Sequence, residues 1–164
     1  MSLFSRITIL AFAFLVFSCG DDDEGPAYDF KDQTAQGLIN GKSWSFVSGR
    51  SSVSNGELSV SLGADTDYVP CESFSINGLN IFFTVDNEVG LYELKFDFED
   101  LDNSQTATFY DPDGGEFGLN IIAVEGAIEI LSVSSSEVRG RLDIRDGDDN
   151  SSSVNGNFTV TLCE

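Results

Sequence analysis

Leu79-Asn80-Ile81-Phe82-Phe83-Thr84-Val85 is the stretch on which the fold of this chain turns. Leu79, Ile81, Phe83 and Val85 are apolar at every second position, with Asn80, Phe82 and Thr84 between them. A side-chain period of two belongs to a strand with one buried and one wet face. The same alternation returns upstream in Leu58, Val60 and Leu62. Downstream it appears in Tyr92, Leu94, Phe96 and Phe98, in Val138, Gly140, Leu142 and Ile144, and in Phe158, Val160 and Leu162. Asn40-Gly41, Asn55-Gly56 and Asn77-Gly78 punctuate the pattern, and such dipeptides suit the positive φ angles of tight hairpin turns. No stretch of the chain beyond the N-terminal region has a convincing helical period. About nine or ten short strands with local connections predict an all-β domain. The favoured architecture is a two-sheet antiparallel β-sandwich. A closed or partly closed up-and-down β-barrel is the alternative, because nearly every connection is short. Trp44 is in phase with Phe46 and is predicted to be core.

The N-terminus reads differently. Met1 to Arg6 carries one cation, Ile7 to Phe17 is apolar apart from Thr8, and Ser18-Cys19 follows. That order describes a secretory signal, and the apolar run is shorter than the ~20 residues that a membrane span needs. Val16-Phe17-Ser18-Cys19 resembles the bacterial lipobox. The resemblance implies cleavage before Cys19, a diacylglycerol on its thiol and acylation of its freed amine. Two or more chains make such anchoring stable. Gly20-Asp21-Asp22-Asp23-Glu24 is similar to the export signal of Bacteroidetes-type surface lipoproteins, which implies display on the outer face of the outer membrane. An acidic block is also simply a solvated, self-repelling tether, and the two readings are compatible. The expected organisation is a lipoprotein signal peptide over residues 1–18, a lipidated cysteine and acidic flexible tether over 19–36, and a single β domain over 37–164.

The C-terminal half carries a related resemblance. Gly126-Ala-Ile-Glu-Ile130, Ser132-Val133, Val138-Arg-Gly-Arg141 and Val154-Asn-Gly-Asn-Phe158 resemble the closing strands of small Bacteroidetes-type lipoproteins of uncharacterised function. Ile39-Asn-Gly-Lys-Ser-Trp44 resembles the opening hairpin of the same group. The likeness spans about half of the chain, implies a β fold at the cell surface, and supplies no catalytic residue.

Charge narrows the partners. The chain has 28 acidic and 8 basic residues, a net charge of −20. Nucleic acid is not an expected partner, because binding it takes Lys and Arg against phosphates. Repulsion from anionic lipid would leave the acyl chains as the membrane attachment.

The chemistry-bearing residues give no reaction. The chain has no histidine, which removes the commonest general base and zinc ligand, and there is no Gly-x-Ser-x-Gly elbow. No cofactor is expected apart from a structural calcium ion. Three acidic clusters could hold one through oxygen ligands: Asp146, Asp148 and Asn150; Asp111, Asp113 and Glu116; and Asp97, Glu99, Asp100 and Asp102. The competing reading is that Asp, Gly, Pro and Asn are ordinary turn residues. Phe82 and Tyr110 fall out of phase with the core positions of their strands. They could stack on a ligand such as a sugar, but cross-strand pairing or cover by a neighbouring loop is the more frequent reason for such residues. Cys71 and Cys163 remain once Cys19 is acylated, and an exported domain with an even pair favours a disulfide. The alternative is two buried free thiols.

These features lead to a non-catalytic, surface-exposed lipoprotein that binds an extracellular glycan or protein. The alternatives are a structural or assembly subunit of an outer-membrane complex and, for a closed barrel, a carrier of small apolar ligands.

Overall fold

The computed structural model describes residues 28–72, 77–147 and 151–164. Eleven strands lie among them: β1 Gln36–Ile39, β2 Lys42–Ser45, β3 Ser48–Ser54, β4 Glu57–Gly63, β5 Asn80–Asp86, β6 Gly90–Glu93, β7 Ala107–Asp111, β8 Leu119–Ala123, β9 Glu125–Val133, β10 Glu137–Arg145 and β11 Ser153–Cys163. A 3-10 turn at Leu101–Asn103 is the one helical element among the described residues. The class is all-β, as the period-two pattern predicts.

The finer architecture departs from that expectation. Hydrogen bonding runs unbroken through β6-β9-β10-β11-β3-β4-β5-β7-β8, so there is one curled sheet instead of two separate ones. Nor is the sheet wholly antiparallel. The end of β11 pairs parallel to β3, Thr161 opposite Arg50 and Cys163 opposite Ser52. The start of β11 instead pairs with β1, which carries β2 on its far edge. An eleven-residue strand can thus serve two different neighbours along one side. The two ends of the path, β6 and β8, are not hydrogen-bonded to each other, and the sheet stays open.

Curling brings the two halves face to face over one core. Leu58, Val60 and Leu62 of β4 and Ile81, Phe83 and Val85 of β5 are buried with Ile128, Ile130, Leu142, Ile144, Phe158 and Val160 from the other half. Phe83 meets Phe158 edge-on across this interior, ring centroids 5.8 Å apart, a favoured aromatic geometry. Trp44 is core as predicted, and its indole N–H donates to the Leu79 carbonyl at 3.0 Å. That bond satisfies the one polar atom which burial would otherwise orphan.

The alternation from Tyr92 to Phe98 extends past its strand. β6 ends at Glu93, Leu94 is still buried, and Phe96 and Phe98 are exposed. Lys95 exchanges backbone bonds with Gln105, and the Asp97 carboxylate accepts the N–H groups of Glu99 and Asp100 at 2.9 and 3.2 Å. An aspartate turn of this kind pulls the chain out of the ladder.

The packed part also begins earlier than residue 37. Ala35 is in the core, and Thr34 bridges Asn157 in parallel. Asp29 N–H donates to the Asp143 carboxylate, Lys31 N–H to the Asn155 side chain, and Asn157 to the Asp32 carboxylate. The Arg141 guanidinium lies 4.4 Å from the Phe30 ring centre. Residues 28–34 therefore pack along β10 and β11, and Ala35 enters the core. Cys19 and the acidic run of residues 20–24 lie outside the described residues.

Candidate functional site

The outer face of β4, β5 and β7 is a shallow groove of 670 Å³. Strand register builds it. Ser61, Phe82 and Thr108 stand abreast in one row, and Ser59 stands opposite Thr84 in the next. The Ser59 and Thr84 hydroxyls are 3.2 Å apart and share a hydrogen bond. Gln105 closes one side, its amide donating to the Thr84 carbonyl at 2.9 Å. Glu57 and Asp86 bound the far end. The groove thus offers hydroxyl and amide groups, which both donate and accept, beside one aromatic ring.

That ring is Phe82, 37% exposed, and Tyr110 lies diagonally across from it with centroids 6.2 Å apart and planes tilted by 49°. Both point off the core, as their phase predicts, and the structure brings them together. Tyr110 also covers Gly118, where a Cβ would come within 2.6 Å of the tyrosine ring. Tyr110 is therefore partly structural, and Phe82 is the freer of the two. The serine and threonine rows were visible in the alternation of β4 and β5, but a row of small hydroxyls carries no motif.

Asp111, Asp113 and Glu116 do not act as one group. Asp111 ends β7 with its side chain fully buried, while Asp113 and Glu116 are exposed. Lys42 donates to one Asp111 oxygen at 2.8 Å, together with the Asp113 N–H at 3.0 Å; Asn40 donates to the other oxygen at 2.8 Å. The carboxylate thus clamps the β1–β2 hairpin to the β7–β8 turn. Burial pushes the Asp111 carboxyl up, but the bonds from Lys42, Asn40 and Asp113 N–H and the Lys42 charge outweigh it. The net shift is downward from 3.8.

A lowered folded pKa means stability that is complete above the ordinary carboxylate value and is lost as pH falls through the folded one. Asp111→Asn is therefore expected to be less stable than wild type in urea at neutral pH. The gap should narrow as pH falls below the ordinary carboxylate value and through the lowered folded one, where the buried carboxylate takes up its proton. Urea midpoints of both proteins across that range check the direction, and a gap that widens in acid would contradict it.

Asp97 serves its turn through the bonds described above, and Glu99 and Asp100 are exposed beside it. The Asp102 side chain lies outside the described residues. Asp146 is buried, and one of its oxygens accepts from Ser151 Oγ at 3.0 Å and Ser152 N–H at 2.9 Å. Asp148 and Asn150 lie outside the described residues. Among the described residues no three acidic or cysteine side chains converge as a metal site would require.

Cys71 and Cys163 are joined by a disulfide, with their Cα atoms 5.4 Å apart. Cys163 is out of phase with Phe158 and Val160 yet buried, because Cys71 covers it through the bridge.

A second depression lies at the open seam of the sheet. Its volume is 1010 Å³, and it runs between the chain just past β6 and the edge strand β8. Leu94, Phe96 and Phe98 form one wall and Leu119, Ile121 and Ile122 the other.

Comparison with known proteins adds no assignment: no family model, curated protein or solved structure matches this chain.

Proposed function

We propose that this chain is a lipid-anchored, surface-exposed binding protein without catalytic activity, and that the outer face of β4, β5 and β7 takes an extracellular glycan. The observation that carries this reading is Phe82 standing exposed within a shallow row of hydroxyl and amide groups. A sugar presents an apolar C–H face and a rim of hydroxyls, and an aromatic ring beside small polar side chains complements both. A filled core beneath the groove keeps the face rigid, which lowers the cost of ordering on binding. The anchor at Cys19 and the outer-membrane address rest on the signal and acidic run. The docked segment 28–35 sets where the tether would leave the domain.

The reading is tested by affinity electrophoresis of the domain through gels containing defined polysaccharides, neutral and acidic. Retardation by a neutral polysaccharide is expected. Phe82→Ala should weaken it about tenfold, equivalent to ~1.4 kcal/mol, while leaving the unfolding midpoint nearly unchanged. Wild-type mobility unaffected by every polysaccharide would remove the glycan reading. An unaltered affinity in Phe82→Ala would remove this face as the site.

A further inference from the structure

The seam between β6 and β8 holds an unpaired acceptor at the end of an apolar groove. Leu94 is the buried residue of one wall, and Ile121 of the other packs against the core. Phe96 and Phe98 stack edge-on at 4.7 Å, with Phe98 88% exposed. Asn40, Glu125, Asp146 and Ser151 supply the polar end. Asp146 is only 8% exposed, and its Oδ1 is buried without a hydrogen-bond partner among the described residues. Its other oxygen is fully engaged by Ser151 and Ser152. A buried carboxylate oxygen left without a donor is costly, and a ligand that brings a donor removes that cost.

We propose that this seam binds a small amphiphile, with an aliphatic or aromatic body along the groove and a primary ammonium head at Asp146. The volume, 1010 Å³, is that of a small-molecule site, and the wall residues are those of an apolar one. Glu125 adds a second carboxylate at the same end. Its nearest cation is Arg145 at 3.7 Å, and Arg145 also bonds Asp143 at 2.9 Å. Lys95 lines the groove but donates its ammonium to Asn103 at 2.8 Å. A net charge of −20 disfavours an anionic head throughout. The seam shares no lining residue with the glycan face, so the two sites stand or fall separately.

The test titrates the mature chain with octylammonium, octanol and octanoate, each below its micellar concentration, by calorimetry and amide NMR. Octylammonium is expected to bind at least about tenfold tighter than octanoate. Its shifts should fall on residues 94–98 and 119–125. Asp146→Asn should erase the preference for the ammonium while leaving octanol affinity in place. Phe98→Ala should weaken all three, and Ile122→Lys should weaken octylammonium more than octanol. The last two variants alter exposed positions, so they decide the matter even where Asp146→Asn does not fold. Equal affinity for the three heads, tighter octanoate, or shifts mapping elsewhere would overturn the proposal.

Discussion

Replacing Cys71 and Cys163 together by serine is expected to lower stability by about 4–5 kcal/mol, from the loop entropy that the cross-link removes from the unfolded chain. The bridged residues are 92 apart in sequence, and loop closure of that span is what sets the figure. The native geometry adds a second reason. Cys163 is the last residue of β11, where the ladder is held by a three-residue parallel pairing with β3. Cys71 sits in the irregular segment after β4 at a φ of +68°, a left-handed conformation unusual for a side chain with a Cβ. The bridge holds that conformation and pins the junction between the two halves of the sheet. A loss of this size should lower the melting temperature by roughly 10–20 °C in a domain of this length. Thermal unfolding of the double variant beside oxidised wild type measures it. Wild type with reductant should match the variant. A fall of only a degree or two in both would mean that the β11–β3 junction holds without the cross-link.

The strands were legible wherever one face is buried and the other wet. β4, β5, β10 and β11 bury the residues that their alternation assigns to the core, except that Leu162 near the end of β11 is only partly buried. What period two does not encode is which strands become neighbours. The parallel pairing of Arg50 with Thr161 joins residues more than a hundred positions apart, and no local pattern marks it. That single pairing turns two expected sheets into one. The attachment of segment 28–35 leaves no local sequence signal for a related reason. The segment's attachments are side-chain bonds with Asp143, Asn155 and Asn157 and backbone bonds with Asn157, and such bonds leave no apolar period behind.

The candidate sites divide along the same line. Phe82 and Tyr110 were identifiable because being out of phase with the core is itself a local signal. Their meeting at 6.2 Å follows from the β5–β7 register. In the sequence Asp111 stands as one of a cluster of turn acids. Its actual partners, Asn40 and Lys42, lie 71 and 69 residues away, so its role as a clamp needed the topology. The seam groove was invisible for the strongest reason: it exists only because β6 and β8 are the ends of the path. Leu119, Ile121 and Phe96 look like any other strand residues until the edges are known.

The corner that creates this seam gives the other large expected effect. β8 passes into β9 through Val124 alone, so the chain leaves the edge of one half and enters the interior of the other within two residues. Gly126 absorbs the turn at a φ of +96°, and a Cβ there would lie 1.8 Å from the Asp143 carbonyl oxygen of β10. That oxygen belongs to a central strand held on both sides by β9 and β11, so it cannot yield as a flexible side chain would. Gly126→Ala is expected to cost at least about 3 kcal/mol, the range of severe steric and backbone conflicts. The matched control is Gly56→Ala, at a φ of +89° in the Asn55-Gly56 hairpin turn. A Cβ there meets nothing within 4 Å. Only the left-handed backbone is penalised at Gly56, by roughly 1–2 kcal/mol. Urea midpoints of the two variants therefore separate the conformational cost from the clash. Gly126→Ala should be the less stable by at least a further ~1 kcal/mol. Equal losses would mean that the β8–β9 corner relaxes, and the open seam would then be a movable feature of the sheet instead of a fixed one.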